Sequence, residues 1–101
     1  MKKLSLKISS EAYSDLEKIW IYTYQKWSKE QADKYYLQIT DELIFLCSNF
    51  FSGKSADSIR QGYRVSFVQS HVIFYKLGGN QEELEVIRIL HQSMNIEKWL
   101  K

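Results

Sequence analysis

The residues best suited to chemistry lie near the end of the chain, in the stretch LEVIRILH at 84–91. Arg88 sits among aliphatic residues, where a guanidinium is costly unless something pairs with it. His91 closes the run. Two-residue alternation puts Leu84, Val86, Arg88 and Leu90 on one face of a strand and Ile87, Ile89 and His91 on the other. Arg88 then has two readings. Its stem packs and its head pairs with a nearby carboxylate or carbonyl, or its head is aimed at a partner from the less covered face of a sheet. As an acid or base, His91 needs a second titratable group close by. His71, Tyr63 and Tyr75 fall on neighbouring strand-like runs. No spacing suggests a Ser-His-Asp or Cys-His arrangement, and two histidines without a cysteine pattern give no zinc signature. Neither a metal nor a cofactor is expected.

Other polar groups read more plainly. The carboxylate pairs Asp41–Glu42 and Glu82–Glu83 are adjacent, so their members point apart and read as solvated surface. Gly78-Gly79 reads as a hairpin turn, since no GxxxxGK[ST] pattern follows it. The chain has seven tyrosines and three tryptophans, side chains that suit interfaces because they are large and amphipathic. Trp20 and Trp27 are expected to pack between helices. Tyr13, Tyr22, Tyr24 and Tyr35 are too many to bury together, which points to a docking strip for a partner.

The elements that must position these groups follow from periodicity. Leu4, Leu6 and Ile8 alternate with Ser5 and Lys7, the period of a half-buried strand. Ala12, Leu16, Ile19, Trp20 and Trp27 share one face of a helix over roughly 10–26, capped from Ser9-Ser10. Ser28 to Gln31 forms a capping box that starts a second helix to about 49, so the two make an αα-hairpin. Residues 51–62 read as irregular. The runs 63–68, 71–77 and 84–90 read as three strands of an antiparallel meander. Ile96, Trp99 and Leu100 anchor a short amphipathic tail. The predicted fold class is α+β: a β-α-α-β-β-β order, with a helical hairpin on one face of a small, curved, mainly antiparallel sheet.

Composition bounds the rest. At 101 residues the chain fits one domain over 1–101. A net charge of +2 is too small to argue nucleic-acid binding from charge alone. All three arginines (Arg60, Arg64, Arg88) lie in the second half, a hint of an anion-facing or partner-facing surface there. Cys47 is the only cysteine, so no internal disulfide forms. The N-terminus lacks the apolar stretch of a signal peptide. The longest apolar run, LIFLC at 43–47, is far short of the roughly 20 residues needed to cross a bilayer. These features predict a cytoplasmic protein with no membrane partner.

Several stretches taken in order are similar to the ParE toxins of the RelE/ParE toxin–antitoxin superfamily. They are AYSDLEKIWIYTYQKWSKEQADKYY, Gly53-Lys54, IRQGYR at 59–64, HVIFYK at 71–76 and IRILHQSMN at 87–95. The resemblance runs from Leu6 to about Asn95. Where relatives often have Asn-Pro, this chain has Asn49-Phe50-Phe51, and where they often have Met-Asp it has Met94-Asn95. The resemblance implies a toxin that poisons DNA gyrase and blocks replication, acting by binding, and held inactive by a ParD-like antitoxin wrapped across the hairpin and sheet. Operator DNA is then met only through the antitoxin complex. On this reading Arg60, Arg64, Arg88, His91, Met94 and Trp99 face the target. Tyr13, Trp20, Tyr24, Tyr35, Tyr63 and Tyr75 face the antitoxin. The resemblance also turns Arg88 toward a partner and away from its own core. RelE-like relatives instead cut mRNA on the ribosome, and Arg64, Arg88 and His91 are the residues here that would serve that chemistry. A third alternative is a non-toxic binding module with the same fold.

Overall fold

The structure, a computed structural model, describes residues 3–99. Strand β1 (Ser5–Ile8) leads into helix α1 (Ser10–Lys26), then helix α2 (Lys29–Ser48). A single 3-10 turn at Phe50–Ser52 follows, then strands β2 (Lys54–Ser55), β3 (Arg64–Val68), β4 (His71–Gly78) and β5 (Glu83–His91), and a short helix α3 (Ile96–Trp99). The five strands form one sheet in the order β1-β5-β4-β3-β2. All pairings are antiparallel except β1 with β5, which is parallel. The α+β class and the helical hairpin stand as read from the sequence.

Local chemistry explains where the helices begin. Ser9 accepts the Ala12 backbone N–H at 3.0 Å and Ser28 accepts that of Gln31 at 3.1 Å, satisfying donors that a helix start leaves orphaned. Only Trp27 and Ser28 separate the helices, so they pack antiparallel. Their inner faces, with Ala12, Leu16, Ile39, Leu43 and Leu46, meet Ile73, Tyr75, Leu84, Val86 and Ile89 of the sheet in the main core. The other sheet face carries a smaller cluster of Ala56, Tyr63, Val72, Phe74 and Leu90. Met94 and Ile96 of the tail pack against that cluster.

The structure corrects the sequence at several points. Residues 51–62 are not wholly irregular, because the two residues of β2 pair with Arg64 and Val65. Strict alternation along β5 fails. Tyr75 opposes Val86 while Phe74 opposes Arg88, so Ile87 is an extra residue, a β-bulge. Leu84, Val86 and Ile89 therefore reach the main core, while Ile87 and Leu90 join the second cluster. A bulge shifts every later side chain by one position relative to the partner strand. Trp27, expected inside the hairpin, is 70% exposed because it caps α1 at the turn. Glu42 is half-buried and accepts the Ser66 hydroxyl, so it is not simply solvated. Leu100 and the side chain of Trp99 lie outside the described residues.

Candidate functional site

Arg88 is taken by its own fold. Its Nε and Nη2 donate to the two oxygens of Asp15 at 2.8 Å each. Asp15 also accepts the Ile89 backbone N–H at 3.0 Å. The bulge in β5 places Arg88 within reach of α1, and Asp15 projects from the helix face that packs on β5. Its hydrogen bonds to Asp15 push the Arg88 pKa up, against the cost of burial. The reading of Arg88 as a guanidinium turned from its own core is thereby corrected.

Arg64 is also engaged. Its Nη2 donates to the carbonyls of Gly53 and Phe51, and its guanidinium lies 5.8 Å and 5.1 Å from the ring centres of Phe50 and Phe51. Nearby, the Tyr75 hydroxyl donates to the Phe50 carbonyl at 2.7 Å. This cluster ties the 3-10 turn to the sheet. Gly53 is required there, because a Cβ would fall on the Tyr75 hydroxyl and the Val65 carbonyl. Tyr75 is fully buried and Tyr63 nearly so, which corrects their expected place on an antitoxin-facing surface. Of the remaining target-facing candidates, Arg60 is exposed on the loop before β3, and Met94 is half-buried against the second cluster.

Two surfaces of the hairpin stand out. On one side Tyr13, Trp20 and Tyr24 recur at i, i+7 and i+11 along α1, with Trp20 stacked on Tyr24 at 5.3 Å. Trp20 Nε1 donates to Asp33 of α2 at 2.9 Å. Trp20, Asp33, Tyr36 and Leu37 line a shallow groove between the helices. Leu37, Ile44 and Phe45 are exposed further along α2. Tyr13, Trp20 and Tyr24 thus gather on one strip of α1, while Tyr35 does not join them.

Tyr35 belongs to the opposite side. There a cleft of roughly 600 Å³ opens between the end of α1, the first half of α2 and the β3–β4 turn. The Tyr35 hydroxyl donates to the Val68 carbonyl at 3.0 Å and lies 2.6 Å from His71 Nδ1. With its own proton spent on Val68, Tyr35 accepts from His71 Nδ1–H. His71 opposes His91 across the β4–β5 ladder, the rings meeting edge to face at 5.3 Å. Burial, with His91 beside it, pushes the His71 pKa down to about 4. Burial raises that of Tyr35. His91 Nδ1 accepts the Ser93 backbone N–H at 3.1 Å, which leaves the proton of the neutral ring on Nε2.

The bulge brings His91 to the same side as His71. Sequence reasoning named both but missed that Tyr35, Lys26 and Lys34 face them. Only the pairing of α2 with the β3–β4 turn reveals that grouping. Among the described residues no group of three or more metal-ligating side chains is placed to hold an ion.

Comparison with known proteins bears on the whole chain. Residues 6–96 match the family described as "ParE toxin of type II toxin-antitoxin system, parDE". The chain is 37% identical over 89 residues to "Toxin ParE1" of Caulobacter vibrioides, covering 88% of this chain and 90% of that one. It is 34% identical over 91 residues to "Toxin ParE1" of Mycobacterium tuberculosis, covering 90% and 92%. The solved structure titled "Chromosomal ParDE TA system from P. aeruginosa" superposes with a TM-score of 0.76 at 22% identity, over 88% of this chain and 96% of that one. At that identity the likeness establishes the fold.

Proposed function

The chain belongs to the ParE toxin family of type II toxin–antitoxin systems, and we propose that it arrests bacterial growth by binding DNA gyrase. A ParD-like antitoxin holds it inactive. The observation that carries this reading is a family match spanning residues 6–96, nearly the whole chain.

Action by binding, without catalysis, is supported by how the arginines are used. The RNA-cleaving alternative gives the phosphate-meeting cation to Arg64 or Arg88. Arg88 is clamped by Asp15, and Arg64 is held by the carbonyls of Gly53 and Phe51. Target contact then falls to Arg60, His91, Met94 and the tail with Trp99. The antitoxin segment covers the strip of Tyr13, Trp20 and Tyr24 with the groove beside Leu37, a surface of the kind an amphipathic helix occupies. Among the described residues no helix is long and apolar enough to cross a membrane, which fits action in the cytoplasm.

Expression of the protein alone in bacteria, with DNA and protein synthesis followed separately, tests the reading. Replication should stop first and a DNA-damage response should appear. With purified gyrase, supercoiling should fall when the toxin is added. Translation stopping first, with transcripts cut inside codons, would overturn it.

One observation favours a ribonuclease as the second reading: His71, Tyr35 and His91 meet in one cleft. His91→Ala separates the two. A nuclease should lose about 100-fold or more in rate with its acid or base, whereas a binding surface should weaken by about 1–3 kcal/mol at most.

A further inference from the structure

The cleft beside His71 has a composition unlike the apolar groove on the other side of the hairpin. Its walls carry two lysines, Lys26 and Lys34, and none of its lining residues is a carboxylate. Aromatic rings, imidazoles, amides and hydroxyls make up the remainder, with no aliphatic side chain among them. A docked peptide helix is held through apolar anchors set into a hydrophobic groove, and this cleft offers no aliphatic floor for them.

Lysines that neutralise phosphates, set beside exposed aromatic faces that stack bases, are what sequence-tolerant binding of a single strand requires. Trp27 is 70% exposed and Tyr22 is 60% exposed. Trp27 is held at the rim by position, as the residue that ends α1. Lys26 Nζ donates to the Tyr22 hydroxyl at 3.1 Å and lies 5.5 Å from that ring's centre. A stacking face and a phosphate cation are thus carried together on one turn of α1. At the cleft wall Gln69 Nε2 donates to Gln38 Oε1 at 2.7 Å, fixing the β3–β4 turn against α2.

We propose that this cleft binds single-stranded nucleic acid, with bases stacked on Trp27 and Tyr22 and phosphates met by Lys26 and Lys34. Bases in a duplex are already stacked on one another, so the same surface discriminates against paired strands. The cleft volume, roughly 600 Å³, lies within the range of small-ligand sites, so only a short segment of strand enters. Occupancy here leaves the Trp20–Leu37 groove uncovered, and it stands whether or not gyrase is the target.

The test is fluorescence anisotropy of a labelled oligothymidine, titrated with the purified full-length chain. Binding should weaken as salt rises, as counterion release demands. Trp27→Ala should weaken it about tenfold, from the loss of one stacked base. The double variant Lys26→Gln/Lys34→Gln should weaken it further and flatten the salt dependence. A duplex of the same length should bind more weakly, and polyglutamate should compete poorly. Absence of binding, equal binding of the duplex, or affinity unmoved in both variants would overturn the proposal. Polyglutamate competing as well as the oligonucleotide would make the cleft an acidic-peptide site instead. Growth arrest needs no part in the readout, so failure here is distinct from failure of the gyrase reading.

Discussion

Asp15 carries three hydrogen bonds, two from Arg88 and one from the Ile89 backbone, and its side chain is 8% exposed. Removing one partner of such a pair strands the other and costs about 3–5 kcal/mol. Asp15→Ala should therefore lower the denaturant midpoint sharply, and the double variant Asp15→Ala/Arg88→Met should regain part of the loss. If Arg88→Met instead left stability unchanged while abolishing toxicity, Arg88 would return to the target surface. His71 gives a second prediction at this scale. Its pKa falls from 6.5 to about 4 on folding, through burial and the neighbouring His91, opposed by Asp15. Between those values the unfolded chain binds more protons than the folded one, so stability rises with pH across that window. The full contribution is present above about pH 6.5 and is lost progressively on acidification toward pH 4. The ring is only partly buried, so the effect should be about 1–2 kcal/mol after allowance for solvent. Urea melts at pH 7.5 and pH 5 should show it, and His71→Gln should flatten the difference.

At the scale of elements, the two helix starts look alike in sequence but differ in what they hold. The Ser28 hydroxyl caps α2, whereas the Ser9 hydroxyl caps α1 and also donates to the Ile87 carbonyl at 2.8 Å, at the bulge. Ser28→Ala should cost about 1 kcal/mol. Ser9→Ala should cost about 2 kcal/mol, since a part-buried carbonyl loses its partner as well. Thermal melts of the two variants give the comparison. Both caps were legible because serine before a helical period has a local mechanism. So were the strands at 64–68, 71–78 and 83–91, to within about a residue. The bulge at Ile87 was not, because alternation assumes an unbroken ladder and nothing local marks the extra residue. That one miss misassigned the faces of Ile89 and His91, and with them the company His91 keeps. Lys54 and Ser55 were missed as β2 because two residues carry no period. Gly53→Ala should show how tightly that segment is packed. The added Cβ meets the Tyr75 hydroxyl and a backbone carbonyl, and overpacking of this kind costs about 1–3 kcal/mol.

For the whole molecule, the hairpin presents two surfaces of opposite chemistry on one small scaffold. The sequence disclosed that aromatic residues were too numerous to bury, but not how they divide. Tyr24 and Tyr22 lie two residues apart on α1 and so fall on different sides of the helix. One joins Trp20 on the apolar strip, and the other joins Lys26 on the cleft rim. A partner on the strip should therefore be separable by mutation from whatever the rest of the toxin contacts. Leu37, at 58% exposure, and Ile44, at 54%, make almost no contribution to the core, so charging them should leave stability within about 0.5 kcal/mol. Leu37→Asp/Ile44→Asp should nonetheless remove rescue by a co-expressed ParD-like antitoxin, because a charge left in an apolar interface must be desolvated without a partner. Growth arrest without antitoxin should persist at parental strength. Rescue that survives the double change would move the antitoxin off this face. Loss of arrest together with rescue would mean that target and antitoxin share it, and that neutralisation works by direct competition.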